Sequence, residues 1–155
     1  MPKILKLLSS LGITFLAGAL GSFFTFPAIS TWYETLNKPA FNPPNFLFGP
    51  VWTVLYIVMA IALFLVWSDN SQKKKLDAML SYGFQIALNA LWSIVFFGLK
   101  NPLIAIAVIV ALWIMILLTI INFYKINKIA GLMLIPYILW VSFASILNMF
   151  IVVLN

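Results

Sequence analysis

Polar and aromatic side chains recur at helical spacing in three apolar stretches of the chain. Residues spaced by three, four, seven or eleven positions lie on one face of a helix. Three such faces are Trp52, Tyr56 and Met59; Gln85, Asn89, Trp92, Ser93 and Phe96; and Tyr137, Trp140, Ala144 and Asn148. Aromatic rings stack on flat apolar molecules, and amide groups both donate and accept hydrogen bonds. These residue types favour ligand binding over acid–base chemistry.

The residue types that are missing exclude several classes of function. The chain has no Cys and no His, and its only carboxylates are Glu34, Asp69 and Asp77. Thiol chemistry is excluded, and the commonest metal ligand and general base is absent. We therefore predict no metal site, no required cofactor and no conventional catalytic residue. The basic residues are all lysines without a clustered face, which disfavours nucleic-acid binding.

The composition is that of an integral membrane protein. Of the 155 residues, 65% are hydrophobic and 8% charged, and the mean hydropathy is +1.13. A membrane-spanning helix needs about 20 apolar residues. The chain offers five such runs, without the alternation of a membrane β-barrel. We predict a single all-α domain over 1–155, a bundle of five transmembrane helices near 7–26, 47–67, 79–99, 102–124 and 130–153.

The lysines predict the orientation in the membrane. Five spans place the N-terminus and the second and fourth connections on one side. That side carries seven lysines, Lys3, Lys6, Lys73, Lys74, Lys75, Lys125 and Lys128, against Lys38 and Lys100 on the other. Positively charged connections stay in the cytoplasm. We expect a multi-pass protein of the cell membrane, with a cytoplasmic N-terminus and with the 27–49 loop and the C-terminus outside.

The 27–49 loop is the longest connection and is rich in proline and aromatic residues. Proline restricts the backbone, so the loop is expected to be ordered between the first two helices. Long ordered loops in compact proteins are often functional, for example as lids. The alternative is an aromatic anchor at the membrane interface. The composition of the loop leaves both interpretations open.

Helix direction brings the three polar and aromatic faces to the same depth. With a rise of about 1.5 Å per residue, they converge in the half of the membrane beneath the 27–49 loop. This arrangement predicts a lidded pocket for a large, flat, mostly apolar ligand such as a tetrapyrrole or a sterol. Without His or Cys to ligate iron, a metal-free porphyrin is the better tetrapyrrole. Alternatively, the polar faces only hold the helices together, and the protein is a membrane scaffold without a ligand.

Two further patterns of small residues concern helix packing. Thr14, Gly18 and Ser22 repeat every four residues on the first helix, where we expect packing within the chain. Gly83 and Ala87 form a similar pair on the third helix, and we interpret this pair as a candidate homodimer contact or as internal packing.

A proline lies within the predicted fifth helix. Pro136 is expected to kink this helix below Trp140.

Three blocks of residues resemble the tryptophan-rich sensory protein family, also called the translocator protein or peripheral benzodiazepine receptor family (TspO/MBR). The first runs from Trp32-Tyr33-x-x-Leu36-x-Lys38-Pro39-x-x-x-Pro43-Pro44 to Phe48-Gly49-Pro50-Val51-Trp52-x-x-Leu55-Tyr56-x-x-Met59. The others are Ala87-Leu88-Asn89-x-x-Trp92-x-x-x-Phe96-Phe97-Gly98 and Pro136-Tyr137-x-x-Trp140-x-x-Phe143-Ala144-Ser145-x-x-Asn148.

The resemblance implies a commonly dimeric five-helix protein that binds porphyrins, sterols and benzodiazepine-type drugs. It implies a role in regulation or in the transport of tetrapyrroles or lipids. For some bacterial members it implies light-dependent breakdown of protoporphyrin IX, in which Trp52 and Trp140 would take part. Tyr33, Pro44, Asn89 and Ala144 match other ligand-lining positions. The animal cholesterol motif is missing from the 148–155 tail, which favours a porphyrin over a sterol.

Overall fold

The chain folds into helices joined by short connections, as a computed structural model of residues 1–71 and 74–155 shows. Its helices are α1 (Lys3–Ile29), α2 (Phe48–Ser68), α3 (Lys75–Ser93), α4 (Pro102–Ile126), α5 (Lys128–Met133) and α6 (Ile135–Leu154). A π-helical turn, Ile94–Gly98, continues α3, and two short 3₁₀ turns, Tyr33–Thr35 and Asn45–Leu47, lie in the long loop.

The prediction of an all-α membrane protein is confirmed. Five helical segments of the described chain are long and apolar enough to cross a membrane, and α5 with α6 forms the fifth. The predicted spans differ from these segments by at most four residues at either end. Lys73, one of the lysines used to predict orientation, lies outside the described residues.

Two asparagines cap the N-termini of α4 and α5. The Asn101 Oδ1 accepts a hydrogen bond from the Ile104 backbone N–H at 3.1 Å, and Pro102 occupies the first turn of α4. The Asn127 Oδ1 accepts one from the Ala130 N–H, also at 3.1 Å. Each bond satisfies an N–H that has no partner within its helix.

The predicted kink at Pro136 is wrong in detail. The fifth span is not one bent helix, because α5 ends at Met133 and α6 begins at Ile135. Pro136 therefore lies in the first turn of α6, where a missing backbone N–H leaves no hydrogen bond unmade.

The small face of α1 packs against its neighbours, as expected. A Cβ at Gly18 would lie 2.7 Å from Tyr56 Cε2 of α2. The Thr14 Oγ1 lies 2.5 Å from the Tyr82 hydroxyl of α3. Gly83, by contrast, has no atom within 4 Å of a Cβ built on it, and Ala87 beside it is exposed. The Gly83 and Ala87 pair therefore does not pack inside the described chain.

The long loop lies folded down on the bundle. The Tyr33 side chain is 1% exposed, and its hydroxyl donates a hydrogen bond to Asn42 Oδ1 at 2.6 Å. Phe41 contacts the rings of Phe143 and Phe150 on α6, with centroids 6.1 and 5.2 Å apart. The loop is thereby held over the ends of α3 and α6.

Gly18→Ala is expected to destabilise the protein. The new Cβ would clash with the Tyr56 ring, which cannot retreat without losing its hydrogen bond to Asn89. Overpacking of this kind costs about 1–3 kcal/mol. The measurement is the thermal unfolding midpoint in detergent. Gly12→Ala is the matched control, since its Cβ meets nothing within 4 Å. Equal midpoints for the two variants would contradict the close approach of α1 and α2.

Candidate ligand-binding cavity

A cavity of about 270 Å³ lies directly beneath the long loop. Its walls come from α1, α2, α6, and the last turn of α3 with the π-helical turn, and Tyr33 of the loop closes its top. Eight of the predicted ligand-binding residues line it: Tyr33, Trp52, Tyr56, Trp92, Phe96, Trp140, Ala144 and Asn148. The three predicted helix faces therefore meet around one space.

Three predicted residues do not line this cavity. Pro44 is exposed on the loop. Asn89 and Tyr137 are 3% and 0% exposed, and both are packed in the interior of the bundle. Their polar groups are bonded to other side chains, so helical spacing identified their face correctly but not what that face touches.

The α1 wall was missed by sequence reasoning. Its lining residues include Phe15, Ala19, Ser22, Phe26 and Ile29. They recur every three or four positions, which is the spacing of one helix face. That signal was present, but the small residues of α1 indicated only helix packing.

Tryptophans form the walls of the cavity. The Trp52 ring stacks on Tyr56 with centroids 5.7 Å apart, and Trp92 stacks on Phe96 at 5.0 Å. On α6, Trp140 lies 5.5 Å from Phe143. Flat aromatic surfaces of this kind suit a flat apolar ligand.

The hydrogen bonds of the cavity lining leave two indole donors without partners. Trp92 Nε1 donates to Asn148 Oδ1 at 3.0 Å, and Asn148 Nδ2 donates to the Pro102 carbonyl at 2.9 Å. Trp52 Nε1 and Trp140 Nε1 have no hydrogen-bond partner among the described residues. An N–H at membrane depth is stabilised by an acceptor. Since both residues line the cavity, these donors are candidates to bind a ligand that carries carbonyl or carboxylate oxygens.

A buried hydrogen-bond network forms the floor of the cavity. The Tyr56 hydroxyl donates to Asn89 Oδ1 at 2.8 Å, and Asn89 Nδ2 donates to the Tyr137 hydroxyl at 2.8 Å. The Tyr137 hydroxyl donates in turn to Gln85 Oε1 at 2.7 Å. The network joins α2, α3 and α6, and within the hydrocarbon such bonds hold helices together.

The cavity lining is uncharged over the described part of the chain. Lys38 does not reach into the cavity, because its Nζ donates to the Tyr33 and Leu36 carbonyls at 2.8 and 3.2 Å. The same ammonium lies 4.9 Å from the centre of the Tyr33 ring. Burial raises the pKa of Tyr33 to about 12, so this phenol stays a neutral donor at physiological pH. Lys38 holds the loop in place and leaves an uncharged cavity below it.

The fold and the cavity define a class, namely polytopic helical membrane proteins with an aromatic cavity closed by a loop. Within that class, the chain belongs to the TspO/MBR family, whose model matches residues 10–154. This finding confirms the resemblance of the tryptophan-containing blocks.

Several relatives match along most of their length. The tryptophan-rich protein TspO of Archaeoglobus fulgidus is 45% identical over 153 residues, which cover 99% of each chain. That of Chlorobaculum tepidum is 44% identical over 154 residues, 99% of this chain and 98% of its own. The human translocator protein is 32% identical over 131 residues, 83% of this chain and 78% of its own.

Tyr137→Phe is expected to cost more stability than Tyr56→Phe. Loss of the Tyr137 hydroxyl leaves both Asn89 Nδ2 and Gln85 Oε1 unpaired, whereas loss of the Tyr56 hydroxyl leaves only Asn89 Oδ1. Each buried group left without a partner costs about 1–3 kcal/mol. Thermal unfolding of the two variants, which remove the same atom, measures the difference. The reverse order would contradict the central place of Tyr137.

Proposed function

We propose that the protein is a membrane receptor that binds a flat, mostly apolar ligand of the porphyrin type in the cavity beneath the loop. Protoporphyrin IX is the specific candidate. The observation that carries this proposal is the pair of tryptophans, Trp52 and Trp140, which line an uncharged cavity and whose indole N–H groups have no hydrogen-bond partner among the described residues. A porphyrin offers a macrocycle for stacking and carboxylates that accept hydrogen bonds.

The residue chemistry favours a metal-free macrocycle. Iron in a haem takes a protein ligand such as His or Cys, and the sequence has neither. A sterol, with its single hydroxyl, would engage fewer of the available donors, so it is the weaker candidate.

The names of relatives support a regulatory or transport role. A protein of Cereibacter sphaeroides, 37% identical over 142 residues, is called a tryptophan-rich sensory protein, and the human relative is called a translocator protein. No carboxylate or lysine lines the cavity in the described chain. Proton-coupled transport uses such groups within the membrane. Any movement of ligand is therefore facilitated by the protein and not driven by a proton gradient.

A dark titration with protoporphyrin IX tests binding. We expect saturable quenching of tryptophan fluorescence at micromolar ligand, with affinity about tenfold weaker in Trp52→Phe and Trp140→Phe, which each lose a stacking surface and a donor. Trp113→Phe is the matched control, because Trp113 Nε1 donates to Ser142 Oγ outside this cavity. A linear response shared by all variants would mean partition into the micelle, and the scaffold interpretation would replace the receptor.

Light-dependent degradation of the bound porphyrin is the second candidate function. It is favoured by the chain of rings from Trp52 to Tyr56 and Tyr137, at centroid distances of 5.7 and 6.4 Å. The pigment would supply the photochemistry, and Trp52 and Trp140 would be its redox partners. Illumination of the same samples tests this activity. Product formed at the wild-type rate in both tryptophan variants would count against this function as proposed, because Trp52 and Trp140 would then not be the redox partners.

The orientation and the assembly of the protein are further parts of the proposal. Lys3, Lys74 and Lys125 lie at the end of the bundle opposite the loop, which favours a cytoplasmic N-terminus in the cell membrane. The chain has no cysteine, so a single cysteine placed at Lys3 or at Ser30 tests the orientation. A membrane-impermeant thiol reagent should label these two cysteines from opposite sides of the membrane.

The exposed face of Gly83 and Ala87 favours a homodimer. A Gly83→Phe variant that keeps the mass of a wild-type dimer would exclude that contact.

A further inference from the structure

Four of the residues that line the cavity are also exposed. They are Phe15, Ala19 and Phe26 of α1 and Thr53 of α2. The lining residues from α3, α6 and the loop are all buried or half-buried. The cavity wall is therefore thinnest between α1 and α2.

The packing of α1 explains why the wall is thin there. From its N-terminus to its middle, α1 contacts α2, as Lys6 Nζ reaches the Trp67 carbonyl at 3.3 Å and Gly18 meets the Tyr56 ring. α1 contacts α3 both in this part, where Thr14 Oγ1 lies 2.5 Å from the Tyr82 hydroxyl, and beyond Gly18. A Cβ at Gly21 would lie 3.2 Å from Ser93 Oγ, and a Cβ at Gly98 would lie 2.7 Å from the Phe24 ring. The loop-side half of α1 therefore packs on α3 and on the π-helical turn that continues it.

The exposed lining residues of α1 and α2 lie on other sides of these helices than the contacts with α3 and α6. On α1, Ala19 and Phe26 are seven positions apart and face away from the side that contacts α3. On α2, Trp52 contacts Tyr137 of α6, and Thr53 lies about 100° round the helix from it. Gly49 also lines the cavity here, and a Cβ on it would meet nothing within 4 Å.

The loop, in contrast, closes the cavity towards the aqueous side. Tyr33 fills the top, and the loop is tied to the end of α6. The Asn37 backbone N–H donates to Asn155 Oδ1 at 3.0 Å, and Asn155 Nδ2 donates to the Asn37 carbonyl at 2.8 Å. A ligand that arrived from water would have to break these bonds and displace a buried tyrosine.

The hydroxyls at the side of the cavity present little polar surface to a ligand. Thr53 Oγ1 donates to the Gly49 carbonyl at 2.8 Å, and Thr25 Oγ1 donates to the Gly21 carbonyl at 2.9 Å. Each hydroxyl is thus bonded to its own helix, as is usual for Thr in membrane helices. An apolar molecule can pass them without losing hydrogen bonds.

We infer that ligands reach the cavity sideways, from the loop-side half of the membrane, through an opening between α1 and α2 that is bordered by Ala19, Phe26, Gly49 and Thr53. The substrate class is accordingly a molecule dissolved in the bilayer, not one taken from water. This inference rests on the proposed function of the cavity as a ligand site, and its test includes a measurement that needs no ligand.

The kinetic test blocks the opening with two aromatic rings. Protoporphyrin IX is mixed in the dark with protein in lipid nanodiscs, and tryptophan quenching gives the rate constants. In Ala19→Phe/Thr53→Phe we expect association and dissociation to slow together by about tenfold. Ala107→Phe, at an exposed position of α4 that does not line the cavity, is the control and should keep both wild-type rates. Wild-type rates in the double variant, or faster dissociation, would overturn the inference.

The ligand-free test asks whether lipid chains reach the cavity. Nanodiscs made with phosphatidylcholine brominated in mid-chain quench tryptophans that the chains contact. Trp52, Trp92 and Trp140 line the cavity and are three of the six tryptophans, so Ala19→Phe/Thr53→Phe should lower the quenched share of the emission. The same double substitution in a Trp52→Phe/Trp92→Phe/Trp140→Phe background should have no such effect, which excludes a change elsewhere.

The two measurements distinguish a failure of the side opening from a failure of the receptor proposal. Equal quenching in wild type and Ala19→Phe/Thr53→Phe would overturn the side opening, whether or not porphyrin binds. Porphyrin that fails to saturate the wild-type protein would overturn the receptor proposal, while lower quenching in the blocked variant would still support an opening to the membrane.

Discussion

The need to pair every polar group within the hydrocarbon shapes this protein. Tyr137 lies at the centre of that constraint, since its hydroxyl accepts from Asn89 and donates to Gln85, and Asn89 also accepts from Tyr56. Three helices are thereby held at one level of the membrane. Because these groups satisfy one another, the level they occupy is a closed floor, and the space above it can remain empty of protein.

The cavity forms where the helices no longer contact one another. Gly18 permits α1 to approach the Tyr56 ring at the floor, and beyond Gly18 α1 packs on α3 and the π-helical turn. The aromatic side chains of the loop-side half are large, yet they line a space without filling it. The loop supplies the missing roof, where Lys38 donates to the Tyr33 carbonyl and Asn155 bonds the neighbouring Asn37. The hydrogen-bond network closes the cavity below, the aromatic side chains close most of its sides, and the loop closes it above. The side between α1 and α2 is therefore the least obstructed route into the cavity.

Much of this arrangement could be predicted from spacing and composition. Apolar runs gave the five spans, and helical periodicity placed Trp52, Trp92 and Trp140 around one space beneath the loop. Periodicity identifies a face but not its partner, so Asn89 and Tyr137 were assigned to a ligand when they bond to side chains far away in sequence. The contact between Asn37 and Asn155 could not be predicted either, because the two residues are far apart in sequence and no pattern links them.

A crystal structure grown in lipidic mesophase with protoporphyrin IX in the dark would show most directly whether a porphyrin occupies the cavity. It should show the macrocycle between Trp52 and Trp140, with a ligand oxygen about 3 Å from at least one indole nitrogen. The floor network should be unchanged. Porphyrin ordered only on the outer, lipid-facing surface, with the cavity empty or filled by lipid at saturating ligand, would contradict the account.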